Sequence, residues 1–417
     1  MKIVEVQTVR AEEYAEFLAV VLKTDDGITG LGETCFGPES VEAYVHEAVA
    51  PRLLGADPLT IERHAKDLPS FYVTHGGTGV STRAHSAVDI ALWDLFGKVC
   101  HQPLYQLLGG KVREKARIYN TCGGYRYGQA EARYRGTSRP PAVGSVPPAT
   151  GSGATAPAST PRSTGPYEDL DAFLHRADEL ALDLLSQGVT AMKIWPFDEV
   201  ARANEGQYIS AHDMRRCLEP FEKIRSATGD GIDVMVELHG LWDVMPAIKI
   251  CNALAEFSPF WVEDAIRLDS QEALARLRGA TDVRFAFGET LAGVHAYKRL
   301  FDSGAADVVM FDFGWGGGIS ESHRVSALAE AYGLPVAPHD CVGPVALAVG
   351  AHFCVATKKA LIQETVRAYY TDWYTEVVVG LPTVERGQIS PPPSPGIGTE
   401  LRPEFLSRPD VHVRRSN

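Results

Sequence analysis

The sequence predicts an α/β fold: a closed barrel of parallel strands preceded by a smaller α+β domain. Three observations lead there. From residue 115 onward, eight short apolar runs alternate with helical stretches, the rhythm of a parallel sheet with crossover helices. Before that point, strands come first and helices follow, without alternation. Between Val234 and Glu289, three apolar runs each end in a glutamate, VMVE at Glu237, FWVE at Glu263 and FAFGE at Glu289, spaced 26 residues apart. A βα unit takes about 25–35 residues, so consecutive strands would set three carboxylates at one rim. A doubly wound open sheet is the competing fold, and no GxGxxG follows the first strand to support its dinucleotide-binding version.

Taken in order, KIVEVQTVRA alternates as a strand, and LAVVLKTDDGITGLGE reads as a hairpin turning at DDG. ESVEAYVHEAVAPRLL and LTIERHAKDL carry helical periodicity on either side of a proline. A loop, THGGTGVS, precedes TRAHSAVDIALWDLFGKVC, which reads as an amphipathic helix with Ala87, Ile90, Ala91 and Leu95 on one face. Residues 1–112 therefore read as a cap. The barrel, 113–379, starts with the strand ARIYNTCGG, the helix LHRADELALDLLSQG and the strand TAMKIWPF. A helix at MRRCLEPFEKIRSATG follows, then strands at DVMVELHG, FWVEDAI, RFAFGET, DVVMFDFG, LPVAPHD and LIQETV. Residues 134–166 are nearly all Pro, Gly, Ser, Thr and Ala, a composition that cannot bury a core and reads as a flexible insertion. The tail, 380–417, is expected to pack back on the cap.

Composition bounds the function. The chain has 417 residues and a net charge of −13, which disfavours nucleic acid and anionic membrane surfaces as partners. No apolar stretch reaches the roughly 18 residues needed to span a bilayer, and the N-terminus has no signal-peptide pattern. The seven cysteines are scattered and form no CxxC pair, as expected of free thiols in a reducing cytoplasm.

Three carboxylates at one rim repel one another unless a cation joins them, and Mg²⁺, a hard ion that keeps positions open for substrate oxygens, suits them. Around them lie further candidates. Lys193, in KIWP, would face the barrel mouth together with Trp195. His239 follows Glu237 by two residues and could be a ligand, an acid or base, or a structural histidine. Asp312 and His339 end adjacent strands, so the carboxylate could orient the imidazole and raise its basicity. Glu364 could be a neutral acid or a salt-bridge partner.

This constellation resembles the enolase superfamily, in particular its mandelate racemase-like branch, along nearly the whole chain. The resemblance implies a modified (β/α)8 TIM barrel, (β/α)7β, with an N-terminal capping domain. It implies Mg²⁺ on Glu237, Glu263 and Glu289, the Asp312–His339 dyad as base, Lys193 on a substrate carboxylate and Glu364 supporting an enolate. Racemases of the branch carry KxK, and Trp195 stands at the second lysine here. His239 resembles the histidine of galactonate dehydratase-like members, which makes dehydration of an acid sugar the first expectation. An isomerase working through the same ene-diolate, a non-catalytic barrel with a vestigial metal site and a metal-dependent aldolase are the rivals. By the same resemblance residues 20–40 and 70–85 of the cap are expected to pack over the mouth, with Glu33, His75, Arg83 and Tyr119 as candidate substrate contacts. The chain is also expected to be a homo-oligomer, a dimer or an octamer, acting on a small-molecule carboxylate, in the reducing cytoplasm that its free thiols imply.

Overall fold

The computed structural model describes residues 1–71, 79–125, 127, 167–341 and 343–417. The insertion at 134–166 and His75 lie outside the described residues.

The cap begins with three antiparallel strands, β1 (Ile3–Ala11), β2 (Phe17–Thr24) and β3 (Thr29–Cys35), with the expected turn between Thr24 and Thr29. The C-terminal strand Val411–Ser416 adds to the free edge of β1, Val6 opposite Ser416. The helix Val80–Val99 lies against β3, where Gly32 lets two backbones touch: a Cβ there would sit 1.8 Å from the Ala87 carbonyl oxygen. This helix differs from the amphipathic expectation. Ala87, Ala91 and Leu95 belong to the cap core, but Ile90 packs with the barrel core. Its other side meets the barrel helix Gly318–Ala331, where buried Asp89 accepts bonds from Ser320 N (2.9 Å) and Oγ (2.6 Å). A helix covered on both sides has no solvent face to keep polar.

Eight parallel strands make the barrel: β4 (Ala116–Thr121), β5 (Ala191–Ile194), β6 (Asp233–Glu237), β7 (Trp261–Glu263), β8 (Phe285–Phe287), β9 (Val308–Asp312), β10 (Val336–His339) and β11 (Gln363–Thr365). Each pairs with the next from β4 to β10, and β11 returns to β4 with Glu364 opposite Tyr119. Val336 closes the ring, its N–H donating to Lys359 O (3.0 Å) and its carbonyl accepting from Leu361 N (2.8 Å). Helices follow the first seven strands, which is the (β/α)7β arrangement. One expected helix is two: Arg176, at φ −143° and ψ 51°, separates Asp169–His175 from Ala177–Ser186. No helix among the described residues is long and apolar enough to cross a membrane.

Candidate active site

The rim of the barrel follows from the strand pleat. Below it the interior is filled by Tyr119, Ala191, Met235, Trp261, Ala337 and Ile362. Side chains two positions apart share a face. The next residues toward the mouth are therefore Thr121, Lys193, Glu237, Glu263, His339 and Glu364, and five of these six are the charged or titratable residues that the sequence marks. β8 departs from the pattern. It ends at Phe287, and Gly288, at φ 126°, turns the chain so that Glu289 arrives beyond the strand rather than at its end.

One carboxylate oxygen from each of Glu237, Glu263 and Glu289 lies within 4.8 Å of the others. Lys193 Nζ reaches Glu263 at 2.5 Å, Glu364 at 2.9 Å and Glu237 at 3.4 Å. Trp261 Nε1 donates to the other oxygen of Glu263 at 2.8 Å. Burial, and then the charge of Glu237, pushes the Glu263 carboxyl well above the usual range against the pull of Lys193. Burial likewise raises Glu289, with His339 opposing. One ammonium shared among buried carboxylates leaves the group short of positive charge. The donors are all hard oxygens, with neither thiolate nor imidazole among the three, so the residues present fit a divalent cation of the Mg²⁺ type.

Two carboxylate–imidazole pairs flank this group. Asp312 and His339 face each other in register on β9 and β10, with Asp312 Oδ2 2.7 Å from His339 Nδ1. Gly314 N donates to the second Asp312 oxygen at 2.6 Å. His339 Nε2 is left toward the cavity, 3.4 Å from Glu289. Burial would lower its pKa, but Glu289 and its other acidic neighbours outweigh that and raise it well above the ordinary value. The second pair is His239 with Asp198, Nδ1 to Oδ2 at 2.9 Å. His239 sits at φ 51°, and its N–H donates to Glu237 Oε1 at 2.7 Å. Burial lowers its pKa, yet Asp198 and Glu237 lift it to about 10. Because β6 and β10 are four strands apart in a ring of eight, the two imidazoles approach the mouth from opposite sides.

Glu364 stands in ion-pair contact with Lys193, 2.9 Å from its Nζ. Burial would raise its pKa, but Lys193, His339 and the hydroxyl of Thr121 hold it at about 2. Trp195 lines the cavity, packed against Tyr127 at 4.9 Å and Phe173 at 5.1 Å.

The cavity above these groups measures about 450 Å³. Its cap side draws on both expected stretches, Cys35 and Phe36 from 20–40 and Gly79 and Arg83 from 70–85, and adds Tyr14, Glu16 and Phe17 before them. The DDG turn takes no part, and the opposite end of the hairpin does, through Tyr14, Phe17, Cys35 and Phe36, with Arg83 beside them. Tyr369 and Trp373, just after β11, complete the wall. Glu33 is not a substrate contact. It is fully buried, accepting from Val345 N and Ala346 N at 3.1 Å each. Tyr119 lies beneath the site in the barrel interior. Asp198 and Trp315 escaped the sequence reading. For Asp198 a signal existed, since KIWPFD places an acid five residues after Lys193 at the same strand end.

Residues 176–405 match the enolase C-terminal domain-like family, and residues 4–109 match the N-terminal domain of the mandelate racemase / muconate lactonizing enzyme family. The chain is 30% identical over 418 residues to D-galactonate dehydratase of Xanthomonas axonopodis pv. citri (strain 306), covering 98% of this chain and 94% of that protein. It is 29% identical over 408 residues to D-galactonate dehydratase of Ralstonia pickettii (strain 12J), covering 96% and 92%. Among solved structures, an enolase of the mandelate racemase subgroup from Agrobacterium tumefaciens, with a succinimide residue, is 42% identical, with a TM-score of 0.84 over 100% of this chain and 99% of that one. An enolase protein from environmental sequencing of the Sargasso Sea is 37% identical, also with a TM-score of 0.84, over 100% and 98%.

Proposed function

The chain belongs to the mandelate racemase / muconate lactonizing enzyme family, within the enolase-like enzymes, and from that premise we propose that it is a lyase, an Mg²⁺-dependent acid-sugar dehydratase. It removes the proton α to a carboxylate, expels the β-hydroxyl as water and leaves a 2-keto-3-deoxy acid. The observation that carries this reading is the pair of imidazoles, each backed by its own carboxylate, on opposite sides of one mouth. Elimination of water needs a base at one carbon and an acid at the next. The relatives named D-galactonate dehydratase, aligned nearly end to end, support the same choice.

Glu237, Glu263 and Glu289 would hold the cation, which when bound supplies positive charge beside the substrate carboxylate. The chain's own residues do the rest. With Glu289 engaged by the cation rather than by the imidazole, the charge that raises His339 would be withdrawn, and its neutral Nε2 takes the α-proton, while Asp312 holds the opposite nitrogen and balances the imidazolium that forms. His239, protonated beside Asp198, gives its proton to the β-hydroxyl oxygen as the Cβ–O bond breaks. The resulting enol tautomerises to the keto acid. Lys193, tied to Glu263 and Glu364, keeps an ammonium at the floor of the site where substrate charge accumulates. Tyr14, Phe17, Phe36 and Trp373 close the cavity with apolar surface and keep bulk water from the reacting carbons.

The test is direct. Purified protein with Mg²⁺ is offered a panel of aldonic and aldaric acids, and keto acid is measured colorimetrically. Keto acid from at least one member is expected. Solvent-deuterium exchange at the α-carbon without any keto acid would move the protein to the isomerases.

A further inference from the structure

Arg83 is the one cationic side chain lining the cavity, among the described residues, that has no acidic partner. Lys193 is consumed by Glu263, Glu364 and Glu237, and the two histidines by their aspartates. Arg83 rises from the helix Val80–Val99, and its Nε donates to the Cys35 carbonyl at 2.9 Å. That bond fixes the plane of the guanidinium and leaves both terminal nitrogens without a partner among the described residues. Its surroundings are aromatic: the guanidinium carbon lies 5.8 Å from the Phe36 ring centre and 5.5 Å from that of Trp315. Trp315 in turn packs on His339 at 5.1 Å and donates to the Glu289 carbonyl at 2.6 Å. The other cap-side acid, Glu16, is already engaged, accepting from Gly37 N at 3.3 Å.

A half-buried guanidinium among rings has lost part of its hydration and gained no anion in return. Its free edge is a planar fork that matches a carboxylate with two parallel bonds. One indole ring separates it from the imidazole assigned to the α-proton, a span that a sugar chain of several carbons bridges. We infer that Arg83 binds a second carboxylate at the far end of the substrate, so that the substrate class is a sugar diacid rather than a monocarboxylic sugar acid. This rests on the reading of the site as an acid-sugar site and narrows it. The acidic groups crowd the floor, where a cation is expected, and the uncommitted positive charge stands at the roof. A diacid places one carboxylate at each.

The test separates this inference from the dehydratase reading by measuring binding apart from turnover. His339→Asn protein, loaded with Mg²⁺, is titrated calorimetrically with galactarate and with galactonate, and with one further hexaric and hexonic acid pair. The diacid of each pair is expected to bind about 10- to 100-fold more tightly, the worth of a charge-assisted hydrogen-bond pair. Adding Arg83→Gln should remove that preference, and Arg83→Lys should restore part of it. Equal binding of both acids, no binding of either, or a preference that survives Arg83→Gln overturns the inference, whatever the turnover assay shows. Keto acid formed from monocarboxylic acids alone, with no diacid preference, would leave the dehydratase reading standing without it.

Discussion

Glu263 has the most demanding position in the site, with Lys193 on one oxygen, Trp261 on the other and Glu237 crowding it. Glu263→Gln keeps the shape and removes the charge, so Mg²⁺ affinity should fall by more than about tenfold, because Mg²⁺ binds neutral oxygens weakly; calorimetry checks it, with circular dichroism to show an intact fold. The two imidazoles should separate by assay. His339→Asn should stop both α-proton exchange in D₂O and keto acid formation. His239→Asn and Asp198→Asn should slow keto acid formation by about 10²–10⁴-fold, the usual worth of a general acid, while some exchange persists. Exchange lost equally in all three variants would remove the division of labour. Most of these residues were legible in the sequence because a strand writes its inward face with period two, so Lys193, Glu237, Glu263, His339 and Glu364 each sit one inward step above an interior residue. Glu289 was legible by spacing, although Gly288 rather than the strand delivers it. Asp198 was not singled out, since it works from a loop-to-helix junction whose path no periodicity encodes.

At the scale of elements, the sequence located the pieces better than it located their surroundings. The helix Val80–Val99 was legible as a helix, but apolar spacing cannot reveal that Asp89 and Asp94 are buried with Ser320 and Lys98 as partners. The cap hairpin was legible too, but which end of it covers the site depends on how β3 packs on the barrel. Glu33 is the clearest example of a residue that ties two elements. It leaves β3 and accepts the N–H groups of Val345 and Ala346 in the first turn of the helix Pro344–Ala356. Those donors have no partner within the helix, and they pull the Glu33 carboxyl down against the burial that raises its pKa to about 8. Glu33→Ala strands both in a buried place, so it should cost about 2–4 kcal/mol of stability, read as a lower denaturation midpoint in urea. Activity per folded molecule should change little, because Glu33 does not line the cavity.

On the scale of the whole molecule, cap and barrel are joined at both ends of the chain. The last strand pairs with β1, and Arg408 links Asp410, Glu376 and Glu13 across the seam. A cavity built from both halves then reports on the fold as a unit, and a ligand bound at its floor should stabilise the whole. The floor gathers Glu237, Glu263 and Glu364 around one lysine with Glu289 beside them, so the folded state carries an electrostatic cost that a divalent cation would relieve. The unfolded chain spreads those carboxylates apart and has no comparable site. A cation that binds only the folded form at about 100 times its dissociation constant adds about 2.7 kcal/mol. For a protein with barrel-sized cooperative units that corresponds to a rise in Tm of about 5 °C. Scanning calorimetry of EDTA-treated protein, with and without Mg²⁺, should show this rise and its reversal by chelator. Glu263→Gln should abolish the rise, whereas Arg83→Gln, whose charge stands at the roof, should keep it. A wild-type Tm that ignores Mg²⁺ would mean that Lys193 alone satisfies the floor, and the cation would then have no place in the chemistry.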